Sequence, residues 1–221
     1  VYTGRVLWQR KLPKMDTFSV YYDETYADAP LNPAYNQIHI PGANARGTNF
    51  VATLDKVYII QKESCLILDA ATGGTITEFR LPEDPKTGRP AEWGYIGVYK
   101  NYLIAGAGFV SYRDFMEVDP ETTSNQMPFY NYDITSSKKL VIMDRNTGNV
   151  LWTLDSRLGF RNSAIAVGDD KLFCIDRLPD PVYNTLKRRG MEYPTSGIAK
   201  LAAYNLTDGA IVWSNTDKAF G

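Results

Sequence analysis

The most obvious shortage in this 221-residue sequence is of histidine, since His39 is the only one. No second His, no paired acids and no Ser/His/Asp arrangement accompany it, so hydrolytic catalysis lacks its components. An excess of charge is also missing, because 24 basic residues face 25 acidic ones. That balance provides no field to hold a nucleic-acid backbone or an anionic membrane, and we expect neither as a partner.

Long apolar runs are missing too, since no stretch approaches 18 apolar residues. The sequence therefore predicts no transmembrane helix, and it shows no signal-peptide pattern. The two cysteines, Cys65 and Cys174, lie in apolar strand-like runs, which favours buried free thiols over a disulfide. The chain is rich in apolar residues (44%) and aromatic residues (13%), with many Val, Ile and Thr, which predicts a globular protein dominated by β-structure.

One short pattern occurs four times, in two complete and two incomplete copies. It has Asp or Asn first, Thr or Asp three residues later, Gly after four and Trp after eight. The copies contain Asp144, Thr147, Gly148 and Trp152; Asn205, Asp208, Gly209 and Trp213; Asp69, Thr72 and Gly73; and Thr3, Gly4 and Trp8. In the Asp69 copy, Thr77 stands at the Trp position.

The pattern predicts a strand, a tight turn and a second strand. An Asp or Asn side chain accepts hydrogen bonds from amides two residues on, and glycine adopts positive φ at little steric cost. The Trp that follows is expected to pack its ring on a neighbouring unit while its N–H finds a partner. Because the pattern repeats, we interpret it as structural rather than catalytic.

The strand patterns divide the chain into repeated four-stranded antiparallel units. We expect one outer strand at 1–12, an insertion at 13–45 and three units at 46–82, 91–155 and 160–216, of which the last two are interrupted at 111–137 and 177–197. Because the first copy lacks its Asp, we expect an excised part of a longer protein. The open edge of such an arc is expected to promote association.

The long segments share one edge of these units. In a four-stranded meander the connections alternate between two edges, and 13–45, 111–137 and 177–197 all belong to the same one. The other edge keeps short turns in every copy. Insertions clustered on one side of a repeat protein are typical of a binding face, although they could instead only cover the axis or contact further units.

The stretches Ile142 to Trp152 and Ala203 to Trp213 resemble the tryptophan-docking motif of quinoprotein-like β-propellers. The likeness covers most of 46–216 and Thr3 to Leu12. It implies an all-β fold, namely a partial propeller of about three blades plus one extra strand. The family includes pyrroloquinoline-quinone (PQQ) alcohol dehydrogenases and non-catalytic propellers such as the outer-membrane assembly lipoprotein. The resemblance favours a periplasmic, cell-surface or secreted location.

The resemblance also implies what a catalytic member needs. Those enzymes hold the quinone in a complete eight-bladed ring, beneath a vicinal disulfide and beside a calcium ion bound by Glu, Asn and Asp. This sequence has no adjacent cysteines, and its insertion acids do not have calcium-loop spacing: Asp114, Glu117, Asp119 and Glu121. PQQ and calcium are therefore expected only if the rest of the propeller is present.

Seven residues are candidate ligand contacts at the decorated edge. They lie at the ends of the innermost strands or among the insertion aromatics: Arg46, Asn49, Trp93, Tyr112, Tyr130, Arg161 and Asn162. The aromatics of the insertions suit stacking on flat ligands or sugars, or a small core of their own: Tyr112, Phe115, Phe129, Tyr130, Tyr132, Tyr183 and Tyr193.

Three functions follow as hypotheses. The leading one is a non-catalytic binding or scaffold module that acts through the decorated face. The alternatives are part of a PQQ-dependent dehydrogenase-like enzyme and a carbohydrate-binding propeller. The expected partners are the remaining blades of the same protein and a protein or glycan ligand on the insertion face, with no catalytic residue and no metal ligand assigned.

Overall fold

The computed structural model describes residues 4–12, 50–61, 63–85, 88–110, 112–115, 135–188, 190–191 and 199–216. Within them the chain is almost entirely antiparallel β-structure, as the sequence predicts. The first four-stranded sheet contains β1 (Phe50–Ala52), β2 (Lys56–Gln61), β3 (Ser64–Asp69) and β4 (Thr75–Arg80). A small hairpin of β5 (Glu83–Asp84) and β6 (Arg89–Pro90) follows.

Two further units continue the chain. The second contains β7 (Trp93–Tyr99), β8 (Tyr102–Phe109), β9 (Ser136–Asp144) and β10 (Val150–Arg161). The third contains β11 (Ala166–Gly168), β12 (Lys171–Asp176), β13 (Lys200–Asn205) and β14 (Ile211–Asn215). A single bridge between Phe160 and Asp176 joins them into one larger sheet.

The units are stacked face to face. Successive strand residues point to opposite faces, so Leu103 enters a core shared with the first sheet while Ile104 enters a core shared with the third. The first core joins Tyr58 and Cys65 to residues of the second unit, and the other packs Leu172 against it. The middle sheet is therefore buried on both faces, which is the arrangement of blades in a β-propeller.

Both cysteines lie inside this packing. Cys65 is in β3 and Cys174 is in β12, and both are free and buried. Burial raises the pKa of each thiol to about 12. They are protonated core side chains, and the expectation of buried free thiols is confirmed.

The repeated turns adopt the predicted geometry. The Oδ1 atom of Asp144 accepts hydrogen bonds from the amides of Asn146 and Thr147, both at 2.8 Å. The Oδ1 atom of Asp69 likewise accepts the amides of Ala71 and Thr72 at 3.1 and 2.8 Å. In the third turn, Asn205 Oδ1 accepts the amide of Thr207 at 3.1 Å and Asp208 Oδ1 accepts that of Ala210 at 2.9 Å.

An aromatic ring from the preceding unit covers the motif glycine in three of the four copies, Gly73, Gly148 and Gly209, whereas no heavy atom lies within 4 Å of a Cβ built on Gly4. A Cβ built on Gly73 would lie 2.6 Å from the Trp8 ring, and one on Gly209 would lie 2.8 Å from the Trp152 ring. Each indole Nε1–H also donates to a carbonyl in the turn, from Trp8 to Ala70 at 2.9 Å and from Trp152 to Leu206 at 2.8 Å. We call each such contact of a ring with a turn glycine a joint.

The joint between the first and second units uses a residue that the pattern did not identify. Thr77 stands at the Trp position, but the ring of Phe79 covers Gly148, whose Cβ would lie 2.5 Å from it. Phe79 is two residues beyond Thr77 in the same strand, so its side chain faces the same side of the sheet. Strand alternation was the signal that could have found it.

Two other segments differ from the sequence interpretation. The sequence predicted an outer strand at 1–12, but residues 4–12 are not assigned to a strand, and Trp8 is anchored there by its joint. The interruption at 177–197 contains a helix, α1 (Asp180–Arg188). The helix was signalled by Pro after Asp180, by apolar residues at 182 and 186, and by basic residues in the last turn.

The acidic turns make stability depend on pH. Hydrogen bonds from Thr72 lower the pKa of Asp69, and the amides of Thr147 and Asn146 lower that of Asp144. A lowered pKa adds stability above the unfolded value of 3.8, and this is lost as pH falls through the folded value. We expect the melting temperature of the double variant Asp69→Asn/Asp144→Asn to fall less than that of the parent when the pH is lowered from 7 to about 3.

The third turn supplies the control, because Asn205 already occupies the acid position with an uncharged side chain. Asn205→Asp should steepen the acid-side loss of thermal stability. The melting temperatures of the three proteins, measured by circular dichroism in matched ionic strength, test this. Parallel curves for all three would contradict the assignment of the pH dependence to the turns.

Candidate binding face

The two edges of the stacked sheets differ in what they carry. One edge, here called the plain rim, has short turns between 52 and 56, 69 and 75, 99 and 102, 144 and 150, 168 and 171, and 205 and 211. The opposite edge, the decorated rim, carries the β5–β6 hairpin, the 3-10 turn Tyr112–Phe115 and helix α1. The predicted segregation of long connections is therefore present in the topology. The 13–45 insertion and residues 116–134 lie outside the described residues.

Ion pairs between units hold the plain rim. Arg145 pairs with Asp55 of the first unit, and Lys100 pairs with Asp170 of the third at 2.6 Å. A backbone bond also recurs within each unit, for example from the amide of Arg145 to the carbonyl of Asn101 at 2.9 Å. Two ion pairs of this rim thus connect the second unit to the first and to the third.

The decorated rim has a core of its own. Helix α1 buries Val182 and Leu186 against the strand ends, where a cluster also contains Val110, Leu158 and Leu178. Phe115 and Tyr183 pack on the same cluster. Of the two interpretations of the insertion aromatics, the described part supports a core role for these two rings. Phe129, Tyr130, Tyr132 and Tyr193 lie outside the described residues.

A buried carboxylate anchors this rim to the sheets. Asp176, at the end of β12, accepts backbone hydrogen bonds from Arg157, Leu158 and Gly159 at 2.7, 2.8 and 3.0 Å. These three amides belong to a part of β10 that leaves the register between Asp155 and Phe160. The carboxylate therefore satisfies donors that the β9 strand does not pair, and it ties the second unit to the third.

Charged side chains lie next to the start of α1. Asp180 pairs with Arg177 and lies 3.6 Å from the guanidinium of Arg161. The Asp180 side chain is 60% exposed, whereas those of Arg161 and Arg177 are 32% and 22% exposed. Asp180 thus contacts two guanidinium groups, those of Arg161 and Arg177, at the start of the helix.

The structure locates four of the seven predicted ligand contacts. Trp93 is buried and its indole donates to the Glu63 carbonyl at 3.2 Å. Asn162 is buried, accepts from the Ser137 hydroxyl at 2.7 Å and donates to the Gly94 carbonyl at 2.9 Å. These bonds bring Asn162 close to Trp93 and leave both side chains enclosed.

Arg161 is the partly exposed member of this group. Tyr112 lies in the 3-10 turn Tyr112–Phe115, but its side chain is outside the described part. Arg46, Asn49 and Tyr130 are also outside the described residues, as is Thr3 of the repeated motif. Ligand contact by all seven residues stays a prediction.

The cysteines and acidic side chains bear on the expected calcium ion and vicinal disulfide. Cys65 and Cys174 lie in different sheets, and Asp114 is 2.7 Å from Lys138 Nζ. Among the described residues, no group of three or more His, Cys, Asp or Glu side chains is placed to hold a metal ion. The described side chains do not provide the calcium and disulfide arrangement that the resemblance implies. No helix of the described part is long and apolar enough to cross a membrane.

Comparisons with known proteins gave structural matches alone. No family profile and no curated protein matches the sequence. The similar solved structures include BamB from Moraxella catarrhalis, with 16% identity and a TM-score of 0.40 over 76% of this chain and 37% of that one.

Two further similar structures are an alcohol dehydrogenase and a computationally designed protein. Quinohemoprotein alcohol dehydrogenase from Comamonas testosteroni is 12% identical with a TM-score of 0.45, over 76% of this chain and 26% of that one. The designed Ika8 protein is 9% identical with a TM-score of 0.43, over 76% and 35%. The chain therefore spans well under half the length of each. The fold assignment comes from the chain's own stacked four-stranded sheets, which form an arc of β-propeller blades.

Proposed function

We propose that this chain is a non-catalytic binding or scaffold module that presents its decorated rim to a protein partner. The observation that carries the proposal is the seating of α1, which packs through Val182 and Leu186 and leaves Asn184, Lys187 and Arg188 exposed. A helix fixed by its own core on one rim is a preorganised surface, and preorganised surfaces lose less entropy on binding.

The contrast between the rims supports the same proposal. On the plain rim, charged side chains link one unit to the next, so their interactions are used within the fold. On the decorated rim, exposed basic residues end the helix and two half-buried arginines lie near its start. We propose that the partner presents acidic side chains, because guanidinium groups bind carboxylates with two parallel hydrogen bonds. In this proposal the repeated tryptophan motif holds the blades together, and the remaining blades of the same protein are partners.

Site-specific photocrosslinking tests the proposal. A photoreactive amino acid at Asn184 of α1 is compared with one at Asn149 of the plain rim, both exposed, in extract of the source organism. We expect a discrete protein adduct from position 184 that is absent from position 149. Equal labelling from both rims, or none from position 184, would count against a binding face at α1.

Charge substitutions then address the chemistry of the partner. Lys187→Gln/Arg188→Gln should reduce the adduct about tenfold, since exposed charges near an interface steer association. Lys171→Gln is the matched control, because Lys171 pairs with Asp169 on the plain rim.

A separate experiment addresses the dehydrogenase alternative. PQQ and calcium are added to the protein, and the mixture is passed through gel filtration. Quinone absorbance that stays with the protein would favour an enzyme over a scaffold.

A further inference from the structure

The joint between the first and second units differs chemically from the other two. At the Trp152 joint the indole N–H donates to the carbonyl of Leu206, the residue that follows the turn Asn, at 2.8 Å. Trp8 makes the same kind of bond in the first turn. The corresponding carbonyl of the middle turn belongs to Arg145. Because the phenyl ring of Phe79 has no N–H, this joint forms without a hydrogen bond from the ring to the turn.

Charged side chains of the middle turn reach the first unit at this joint. Arg145 pairs with Asp55, and Lys56 Nζ donates to Asn146 Oδ1 at 2.7 Å. The Arg145 side chain is only 15% exposed, so its ion pair is partly shielded from water. Dissolved salt screens attraction between charges, whereas a bond from an indole to a carbonyl joins two neutral groups. The hold of the second unit on the first therefore depends on ionic strength.

The same interface encloses polar atoms that have no partner. Tyr58 lies in the core between the two sheets and is fully buried. Within the described part of the chain, neither its hydroxyl nor the Nε–H of Arg145 has a hydrogen-bond partner. A buried polar group without a partner destabilises the closed state, and separation of the sheets returns it to water. The packing of the first unit on the second thus carries a cost that opening removes.

The interface between the second and third units has additional ties. A backbone bridge joins Phe160 to Asp176, and the Asp176 carboxylate accepts three amides of β10. The indole bond of Trp152 is present as well. The ion pair at this interface, between Lys100 and Asp170, is 57% and 58% exposed, and exposed pairs contribute little. Separation of the third unit must therefore break backbone hydrogen bonds as well as packing.

We infer that the Phe79 joint is a hinge, at which the first unit separates from the other two more readily than the second separates from the third. The Arg145–Asp55 pair sets how this opening responds to ionic strength, since the pair is broken when the sheets part. The bond from Trp93 to the Glu63 carbonyl at the decorated rim, 3.2 Å long, breaks with it. Low salt keeps the arc in one piece, and higher salt favours the opened form.

The two cysteines report on the two interfaces. Cys65 lies in the core between the first and second units, and Cys174 lies in the core between the second and third. Cys65 is near the end of β3 that faces away from the Asp55 turn, so its exposure requires the whole interface to part. Alkylation by iodoacetamide, located by peptide mass spectrometry, measures how often each thiol in the whole chain becomes accessible.

The rates are compared in about 0.05 M and about 0.5 M sodium chloride. We expect Cys65 to react faster than Cys174 in both. Higher salt should accelerate Cys65 about threefold to fivefold, since one partly shielded ion pair is screened, and should change Cys174 by less than about twofold.

Matched variants separate a hinge from general loosening. Asp55→Asn removes the charge of the pair and should accelerate Cys65 about threefold to fivefold in low salt, with little further effect of salt. Asp170→Asn is the control, because it removes the exposed pair at the other interface, and both thiols should stay within about twofold of the parent. Tyr58→Phe removes the hydroxyl that has no partner, and should slow Cys65 about threefold.

Three results would overturn the inference. The first is equal reaction of Cys65 and Cys174 in every condition, which would mean that both thiols become accessible only by global unfolding. The second is a Cys65 rate that responds neither to salt nor to Asp55→Asn, or that responds equally to Asp55→Asn and Asp170→Asn. The third is faster reaction of Cys65 in Tyr58→Phe, which would mean that the hydroxyl stabilises the closed interface.

Discussion

Gly148→Ala is expected to destabilise the chain by about 2–5 kcal/mol, the sum of two costs at one position. The residue has φ of 76°, where an L side chain costs about 1–2 kcal/mol. The new Cβ would also lie 2.5 Å from the Phe79 ring, and overpacking of this kind costs about 1–3 kcal/mol more. The free energy of unfolding from urea titrations measures the effect.

Gly88→Ala separates the two costs. Gly88 has φ of 62° and no heavy atom within 4 Å of a built Cβ. Its substitution should therefore lower the free energy of unfolding by about 1–2 kcal/mol, from backbone conformation alone. A second test is Gly148→Ala combined with Phe79→Leu, which should recover part of the packing cost, since residues in contact are energetically coupled. Equal losses for Gly148→Ala and Gly88→Ala would mean that Phe79 does not form the joint.

Asp176→Ala is expected to cost about 3–5 kcal/mol, because it removes the acceptor of three backbone amides. Asp176→Asn should cost less. The amide oxygen can replace Oδ1, which binds Leu158 and Gly159, but the NH₂ group would face the donor of Arg157. Urea titration orders the variants, and hydrogen exchange should show faster exchange at the amides of Leu158 and Gly159.

Asp155→Asn is the control for removing a carboxylate from the same region. The Asp155 side chain is 76% exposed and lies 3.1 Å from Lys139, so its loss should change stability by less than about 0.5 kcal/mol. If Asp176→Ala is as mild as Asp155→Asn, the three amides have another acceptor and Asp176 does not hold the second and third units together.

The candidate site was less predictable than the sheets. The pattern of long connections predicted which rim would be decorated, because strand alternation and turn length are readable along the chain. It did not predict that Asp176 would be buried and would accept three amides. Those amides belong to residues of the second unit, 17 to 19 positions earlier in the chain. Nor did it show that Trp93 and Asn162 would be enclosed, which depends on Gly94 and Ser137 lying beside them.

The sequence alone determined the local parts of this protein. Turns at Asp69, Asp144 and Asn205 close through hydrogen bonds within five residues, so composition and spacing suffice to specify them. Only the tertiary structure decided which ring covers each glycine and which tryptophan stays exposed. Phe79, and not Thr77, covers Gly148, and Trp213 is partly exposed to solvent. These contacts depend on where the next sheet lies. Interactions inside one turn are set by neighbours in the chain, whereas interactions between blades are set by packing.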